Sequence, residues 1–166
     1  MKNPTKIRAP HLRPDFLISK ADIVDLEEIL ALQYLAYQSE AVLHNNFSIP
    51  PLKQTFEEVC AEYEKGIFLN AVDGGQIVGS VRAFSEAGTA YIGKLIVRPE
   101  YQGRGIGTKL LLAIEREYAL ARYELFTSEK SVRTVRLYER LGYVKFRRRE
   151  VEKDLVLVYM EKNSGE

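Results

Sequence analysis

Residues 97–109 read Val-Arg-Pro-Glu-Tyr-Gln-Gly-Arg-Gly-Ile-Gly-Thr-Lys and place three alternating glycines between an apolar run and the start of a helical pattern. Glycines leave backbone N–H groups uncovered by side chains, and the positive end of a helix dipole lies at the same place. Together these features favour the binding of phosphate oxygens. The segment therefore predicts an anion-binding loop between a strand and a helix. A loop that merely starts a helix is the alternative.

Two common phosphate-binding motifs do not fit this loop. The dinucleotide pattern G-x-G-x-x-G, started at Gly103, requires a glycine where the chain has Thr108. The Walker loop ends in Gly-Lys-Ser/Thr, whereas here Lys109 follows Thr108. Neither of these nucleotide-binding folds is predicted.

The pattern downstream of the loop predicts a helix, a strand, a second helix and two strands. The first helix has one apolar face, formed by Ile106, Leu110, Leu111, Ile114 and Tyr118. Residues 123–127 form a strand reached by this crossover, so it should lie parallel to the strand before the loop. Ser131 can cap the next helix, which ends at Gly142, and strands near residues 144–149 and 155–160 close the chain.

Upstream, the pattern predicts an antiparallel meander preceded by helices. The predicted elements are a strand at 16–18, a helix from Asp22 to about Ser39, a segment without regular structure at 40–51, a helix at 54–64 ended by Gly66, and strands at 67–72, 76–84 and 90–97. The turn Asp73-Gly74-Gly75 separates the first two of these strands. The sequence thus predicts an α/β fold with a mixed sheet, in which the meander precedes a parallel crossover and helices cover both faces.

Composition narrows the class of protein. The chain has 166 residues, of which 46% are hydrophobic and 28% charged, values outside the range of disordered proteins. Apolar runs end well before the ~18 residues of a membrane span. The single cysteine, Cys60, and two distant histidines, His11 and His44, give neither a disulfide nor a zinc-site spacing. We expect a soluble cytoplasmic protein without a metal: a basic arm at 1–14, one domain at 15–162 and a tail at 163–166.

Charge is distributed unevenly along the chain. Residues 98–149 contain thirteen Lys or Arg against six Glu, a balance of +7, whereas residues 15–97 contain five against twelve Asp or Glu, a balance of −7. The first part should attract anions and the second cations. The alternative is two ordinary solvated surfaces.

The loop resembles the acyl-CoA loop of the GNAT superfamily of N-acetyltransferases, whose pattern is Gln or Arg, two variable residues, Gly, one variable residue, and Gly or Ala. Residues 102–107, Gln-Gly-Arg-Gly-Ile-Gly, match it at every defined position. A second motif of the family resembles residues 131–143, which end in Arg-Leu-Tyr-Glu-Arg-Leu-Gly-Tyr. The predicted order of elements is also similar to that of the family from about Phe16 to Met160.

This resemblance implies a cofactor and a set of binding residues. The pyrophosphate of acetyl-CoA would bind the loop amides, and the pantetheine arm would pair with the preceding strand. Ser131, which would also cap its helix, and Thr134 replace the usual Asn and small residue of the family. The implied cofactor-binding residues are Leu95, Ile96, Val97, Gln102, Gly103, Arg104, Gly105, Ile106, Gly107, Thr108, Ser131 and Thr134.

By the same resemblance Tyr138 is the catalytic general acid, which protonates the CoA thiolate as an amine displaces it. A phenol with a pKa near 10 stays protonated at neutral pH and suits this task. Packing of Tyr138 in the core is the structural alternative. Some members carry a basic glutamate near the position of Tyr91, so the base here is left open between Glu86 and a water relayed by backbone carbonyls.

The sequence therefore predicts an N-acetyltransferase that moves an acetyl group from acetyl-CoA to a primary amine by direct attack. A non-catalytic acyl-CoA-binding or regulatory module on the same fold is the alternative. The charge polarity predicts a cationic acceptor, either a small molecule or a peptide or protein amine, and the family's fold implies an acceptor groove at Tyr34, Tyr37, residues 44–51 and the turn after Arg149. We expect no nucleic acid, because Arg147 and Arg148 would lie on opposite faces of a strand. A homodimer is left open.

Overall fold

The computed structural model describes residues 16–119 and 122–164, which form one mixed sheet and its covering helices. The predicted arm at 1–14 lies outside this range, as do the last two residues. Within it, the strand order is β1-β2-β3-β4-β5-β7-β6. The strands are β1 (Leu17–Lys20), β2 (Ile67–Asp73), β3 (Gln76–Glu86), β4 (Thr89–Val97), β5 (Arg122–Ser128), β6 (Val144–Glu152) and β7 (Leu155–Asn163). The helices are α1 (Leu26–Ala36), α2 (Gln38–His44), α3 (Pro50–Lys53), α4 (Phe56–Lys65), α5 (Ile106–Glu117) and α6 (Val132–Arg140).

The segment between the first strand and α4 is more helical than the sequence predicted. One helix to about Ser39 and an irregular segment at 40–51 were expected, and this was wrong. The chain breaks at Tyr37, continues as α2, and leaves α2 through Asn45, whose φ of 47° is left-handed. Pro50 is the first residue of α3. Proline suits this position because an N–H group in the first turn has no partner within the helix, so its absence costs no hydrogen bond.

The predicted meander is confirmed. Strands β1 to β4 pair antiparallel in sequence order. The β2–β3 turn contains Gly74 and Gly75, at φ 55° and 81°, a conformation that glycine adopts without steric cost. The chain therefore reverses twice with short turns and presents β4 at the centre of the sheet.

Strands β4 and β5 are parallel, as predicted, but they pair only at their beginnings. The paired positions are Thr89 with Arg122, Ala90 with Tyr123 and Tyr91 with Glu124. Beyond Tyr91, β4 has no partner in β5 among the residues that the structure describes. An irregularity in the β3–β4 register lies in the same stretch, where Lys94 has a left-handed φ of 49°. The backbone of β4 after Tyr91 therefore faces a gap in the sheet.

Helices cover both faces of the sheet. On one face, α5 packs its predicted apolar side against β2, β3 and β4 and forms a core with Leu110, Leu111 and Ile114. On the other, α1 and α4 pack together over a second core that includes Leu26 and Val59. Helices α1 and α4 therefore lie on one face of the sheet, and α5, which follows the glycine loop, lies on the other.

The outer strand β6 is exposed along its whole length and carries the predicted basic run. Arg147 lies over the Tyr159 ring at 5.1 Å, whereas Arg148 donates two hydrogen bonds of 3.0 Å to the Glu129 carboxylate. The run is a solvated edge strand whose neighbouring arginines have different partners. No helix in the described ranges is long and apolar enough to cross a membrane.

Candidate active site

The glycine loop follows β4 directly and opens into α5. Gly103 and Gly105 both have left-handed backbones, at φ 77° and 82°, and Gly105 precedes the first residue of the helix. A Cβ added to Gly105 would meet no atom within 4 Å. Because the first N–H groups of a helix have no partner within it, the amides of residues 106–108 are open to an anion. The space and the donors fit a phosphate group.

Two arginines lie beside this loop. The Arg133 guanidinium of α6 is 3.7 Å from where a Cβ on Gly103 would stand. Arg104 folds back over the Tyr101 ring, at 4.8 Å, and donates to the Glu100 carbonyl at 3.1 Å. Arg104 is predicted by the loop motif, whereas Arg133 could not be predicted from the sequence, because only the fold brings α6 next to the loop.

The predicted pantetheine strand lies along the gap in the sheet. Leu95 and Val97 pack against the α5-side core, and Ile96 is buried in the core on the α1 side. A Cβ on Gly107 would be 3.9 Å from the Leu95 side chain, so the strand end and the first turn of α5 adjoin. The Gln102 side chain donates to the Val97 carbonyl at 3.4 Å and links the loop to the same strand.

Ser131 starts α6 as predicted, but its side chain does not cap the helix. Its hydroxyl donates to Oε1 of Glu40 on α2. The expectation of a hydroxyl cap was therefore wrong, because the Ser131 hydroxyl is directed to a carboxylate 91 residues away in sequence and accepts no hydrogen bond from the first turn of α6. Thr134 lies one turn further on and is partly buried.

Tyr138 is buried in the last turn of α6, with 6% of its surface exposed. Its ring centre lies 5.9 Å from that of Tyr143. Burial raises the pKa of the Tyr138 phenol, and the electrostatic influence of Tyr37 and then Glu40 raises it further. Burial and the Glu40 charge also raise the pKa of Tyr37 to about 12, while Arg82 opposes this rise. The α1–α2 junction and α6 thus bring Tyr37, Glu40 and Tyr138 into one electrostatic environment.

Glu40 also belongs to a chain of polar side chains that the sequence analysis did not find. Its Oε2 lies 3.6 Å from Nε2 of His44, whose side chain is 3% exposed. The same nitrogen is 2.7 Å from the Ser128 hydroxyl of β5, and Nδ1 lies 3.3 Å from the Asp154 carbonyl. These contacts hold α2 against β5 and the β6–β7 turn.

A second buried polar cluster lies under α1. Arg82 of β3 donates to Oε1 of Gln33 at 2.5 Å and forms an ion pair with Glu62 of α4. Gln33 in turn donates to Oε1 of Gln54 at 2.9 Å. Burial and the nearby Arg82 charge lower the pKa of Lys94. The cluster joins α1, α4 and the sheet.

Glu86 is the side chain that the sequence offered as a base, and Tyr91 stands near the position where some members of the family carry a glutamate. Glu86 is exposed at the end of β3, in the turn before β4, and the glycine loop follows the other end of β4. Tyr91 stacks on Phe84 at a ring distance of 5.2 Å. Within residues 16–119 and 122–164, no group of three His, Cys, Asp or Glu side chains could hold a metal ion.

Comparison with known families now defines the class of protein. The family model described as Acetyltransferase (GNAT) family matches residues 24–143, which is most of the chain. The chain belongs to the GNAT acetyltransferase family. This confirms the resemblance seen in the loop and in the second motif.

One curated protein is also similar in sequence to this chain. UPF0157 protein YqkA of Bacillus subtilis (strain 168) is 29% identical over 119 residues, which are 71% of this chain and 34% of that protein. The chain thus spans about a third of the length of this curated relative.

Two solved structures share the fold. The ribosomal-protein-S18-alanine N-acetyltransferase of Escherichia coli is similar with a TM-score of 0.75 and 18% identity, over 89% of this chain and 93% of that one. YncA of Salmonella typhimurium, solved with acetyl-CoA, is similar with a TM-score of 0.71 and 21% identity, over 92% of this chain and 95% of that one.

Proposed function

We propose that this protein is an acetyl-CoA-dependent N-acetyltransferase that acetylates a primary amine by direct attack, with Tyr138 as the general acid. The observation that carries the proposal is the gap after Tyr91, where unpaired β4 backbone leads directly into the glycine loop. The buried phenol of Tyr138 adds an acid that keeps its proton, since its pKa is raised. No covalent enzyme intermediate is needed.

In this proposal the cofactor-binding residues named above have distinct tasks. The amides of Gly103 to Thr108 hold the pyrophosphate, and the backbone of Leu95 to Val97 hydrogen-bonds the pantetheine amides as an added strand would. The YncA neighbour, which was solved with acetyl-CoA, supports this choice of cosubstrate. The chemistry needs no metal.

The acceptor is proposed to be a cationic amine. Acidic side chains gather on α1 and α4, which include Glu27, Glu28, Glu57 and Glu58 in their first turns. These helices cover one face of the sheet. The basic segment that follows β4 contains the glycine loop and leads into α5, which covers the other face. A cationic amine and an anionic cofactor would each meet a surface of opposite charge. We further propose a cytoplasmic location, consistent with a chain whose only cysteine is Cys60.

The direct test is release of CoA from acetyl-CoA in the presence of single amines. The panel contains spermidine, agmatine, lysine amide and a short peptide with an N-terminal alanine, and the free thiol is measured as it forms. We expect release with at least one amine well above the rate of acetyl-CoA hydrolysis. Acetyl-CoA binding without release for any amine would favour the non-catalytic acyl-CoA-binding or regulatory module instead.

A further inference from the structure

The Glu40 carboxylate lies at the centre of the environment that surrounds Tyr138. One of its oxygens accepts the Ser131 hydroxyl, the other lies 3.6 Å from the His44 ring, and 24% of its side chain remains exposed. No Lys or Arg forms an ion pair with Glu40 in the described part of the chain. The carboxylate is therefore fixed by polar neighbours and keeps access to solvent.

Electrostatic coupling connects this carboxylate to the proposed acid. The Glu40 charge contributes to the raised pKa values of both Tyr37 and Tyr138. Ser131, which donates to Glu40, is the N-cap of α6 and lies about two helical turns before Tyr138, on the same side of the helix. Glu86 lies in the turn at the other end of β4 from the glycine loop. Glu40 is thus the carboxylate that reaches the Tyr138 side of α6.

We propose that Glu40 binds the ammonium group of the acceptor and accepts the proton that the amine must lose before it attacks. This inference rests on the proposed function, because it supplies the base that the acetyl transfer requires. It assigns the amine to the α2 side of Tyr138. Ser131 and His44 act as positioning residues that hold the carboxylate.

The proton balance of the reaction is complete with these groups. The ammonium gives one proton to Glu40, and its nitrogen forms a bond to the thioester carbon. The carbon–sulfur bond then breaks, and the sulfur takes the proton of Tyr138. The phenolate regains a proton from the new amide nitrogen, directly or through water, so the nitrogen keeps one hydrogen. Glu40 finally releases its proton to solvent.

The variant Glu40→Gln tests the proposal because glutamine keeps the size of the side chain and an oxygen that accepts from Ser131. We expect kcat/KM for the best amine of the panel to fall about 10²- to 10⁴-fold, the usual range for loss of general acid–base catalysis. Glu161→Gln is the matched control. Glu161 of β7 also accepts a side-chain hydrogen bond, from Arg122 at 2.8 Å, and its side chain is similarly part-exposed at 32%.

The pH profile separates a base from a structural residue. With an alkylamine such as agmatine or spermidine, the wild type uses the ammonium form, so its kcat/KM should change little between pH 7 and 9. Glu40→Gln can use only the neutral form of that amine, whose fraction rises about tenfold per pH unit below a pKa near 10.4. The groups that face Glu40 are His44 on α2, Tyr37, Ser131 and Tyr138, and all are unchanged in this variant.

Each outcome decides the proposal. Wild-type activity in Glu40→Gln, or equal pH slopes in the two proteins, would overturn the role of Glu40 and leave the acetyltransferase standing. A wild type that releases no CoA with any amine would overturn both.

If Glu40→Gln does not fold, Glu40→Asp keeps the carboxylate but withdraws it by one methylene. We then expect a lower kcat with the shallow slope retained, and an unchanged kcat would contradict the proposal.

Discussion

Arg133 of α6 lies against Gly103 of the loop before α5, so the two helices converge on the surface proposed to bind the cofactor's phosphates. The guanidinium is 3.7 Å from the position of a Cβ on Gly103, and the Gly103 backbone is left-handed. A phosphate on the loop amides would therefore also be close to a full positive charge. This arrangement leads to the first prediction.

Replacing Arg133 with Ala should weaken acetyl-CoA binding about tenfold or more, because a charge-assisted hydrogen bond contributes about 1.5–3 kcal/mol. Titration calorimetry at low and high salt measures the change, which should shrink as salt screens the pair. Arg136→Ala, on an exposed position of the same helix, is the control. Equal affinities for the two variants would exclude contact between Arg133 and the cofactor.

Adding a side chain to the glycine loop should abolish the stabilisation that acetyl-CoA gives to the protein. Binding to the native state adds about 2.7 kcal/mol at a hundredfold excess over Kd, which raises Tm. Gly105→Val places a branched side chain where a phosphate must approach, and also strains a left-handed backbone. Gly88→Val is matched, because Gly88 has a φ of 81° and is equally open but lies in the β3–β4 turn.

Both valine variants should lose stability without ligand to a similar extent. Only Gly88→Val should keep the Tm shift with acetyl-CoA. A full shift in Gly105→Val would remove the loop from cofactor binding, whatever its effect on the unliganded protein.

Tyr138→Phe should lower kcat about 10²- to 10⁴-fold while the fold and the acetyl-CoA affinity persist. Phenylalanine fills the same space but cannot protonate a thiolate. Because burial raises the pKa of Tyr138, its ionisation should not lower activity between pH 7 and 9. Tyr143→Phe, on the adjoining ring, should keep most activity, and comparable rates for the two variants would favour packing as the role of Tyr138.

Arg82→Ala should lower the free energy of unfolding by about 3 kcal/mol, the lower end of the range for breaking a buried ion pair. The Arg82 side chain is 7% exposed, and its loss removes the donor to Oε1 of Gln33 and to Oε2 of Glu62, while Gln54 still donates to Oε1 of Glu62. Urea unfolding measures the change. Glu62→Gln, whose parent side chain is 42% exposed, should cost less. A loss below about 1 kcal/mol for Arg82→Ala would show that solvent replaces the cluster.

A cationic acceptor should show salt-sensitive kinetics. Its kcat/KM, measured at saturating acetyl-CoA, should fall several-fold between low salt and about 0.5 M salt as the steering field is screened. A neutral amine of similar size provides the comparison. A best acceptor that is neutral or anionic, or one indifferent to salt, would contradict electrostatic steering without affecting the enzyme class.

Much of the fold follows from local signals in the sequence. Glycines at 74, 75, 103 and 105 stand where the backbone has positive φ, and apolar residues repeat with the period of α5. Such preferences act within a few residues, so the meander, the crossover and the loop could be predicted. The helical segment at 38–53 could not, because α2 and α3 are short and depend on contacts such as the one from His44 to β5.

The sequence by itself determined the family motifs, the loop geometry and the position of Tyr138 on its helix. The tertiary structure decided which side chains surround that tyrosine. Ser131 and Glu40 are 91 residues apart and Arg82 and Gln33 are 49 apart, so no periodicity could pair them. Their contacts exist because the sheet positions α1, α2 and α6, and polar groups that lose water there are stabilised by hydrogen bonds to one another.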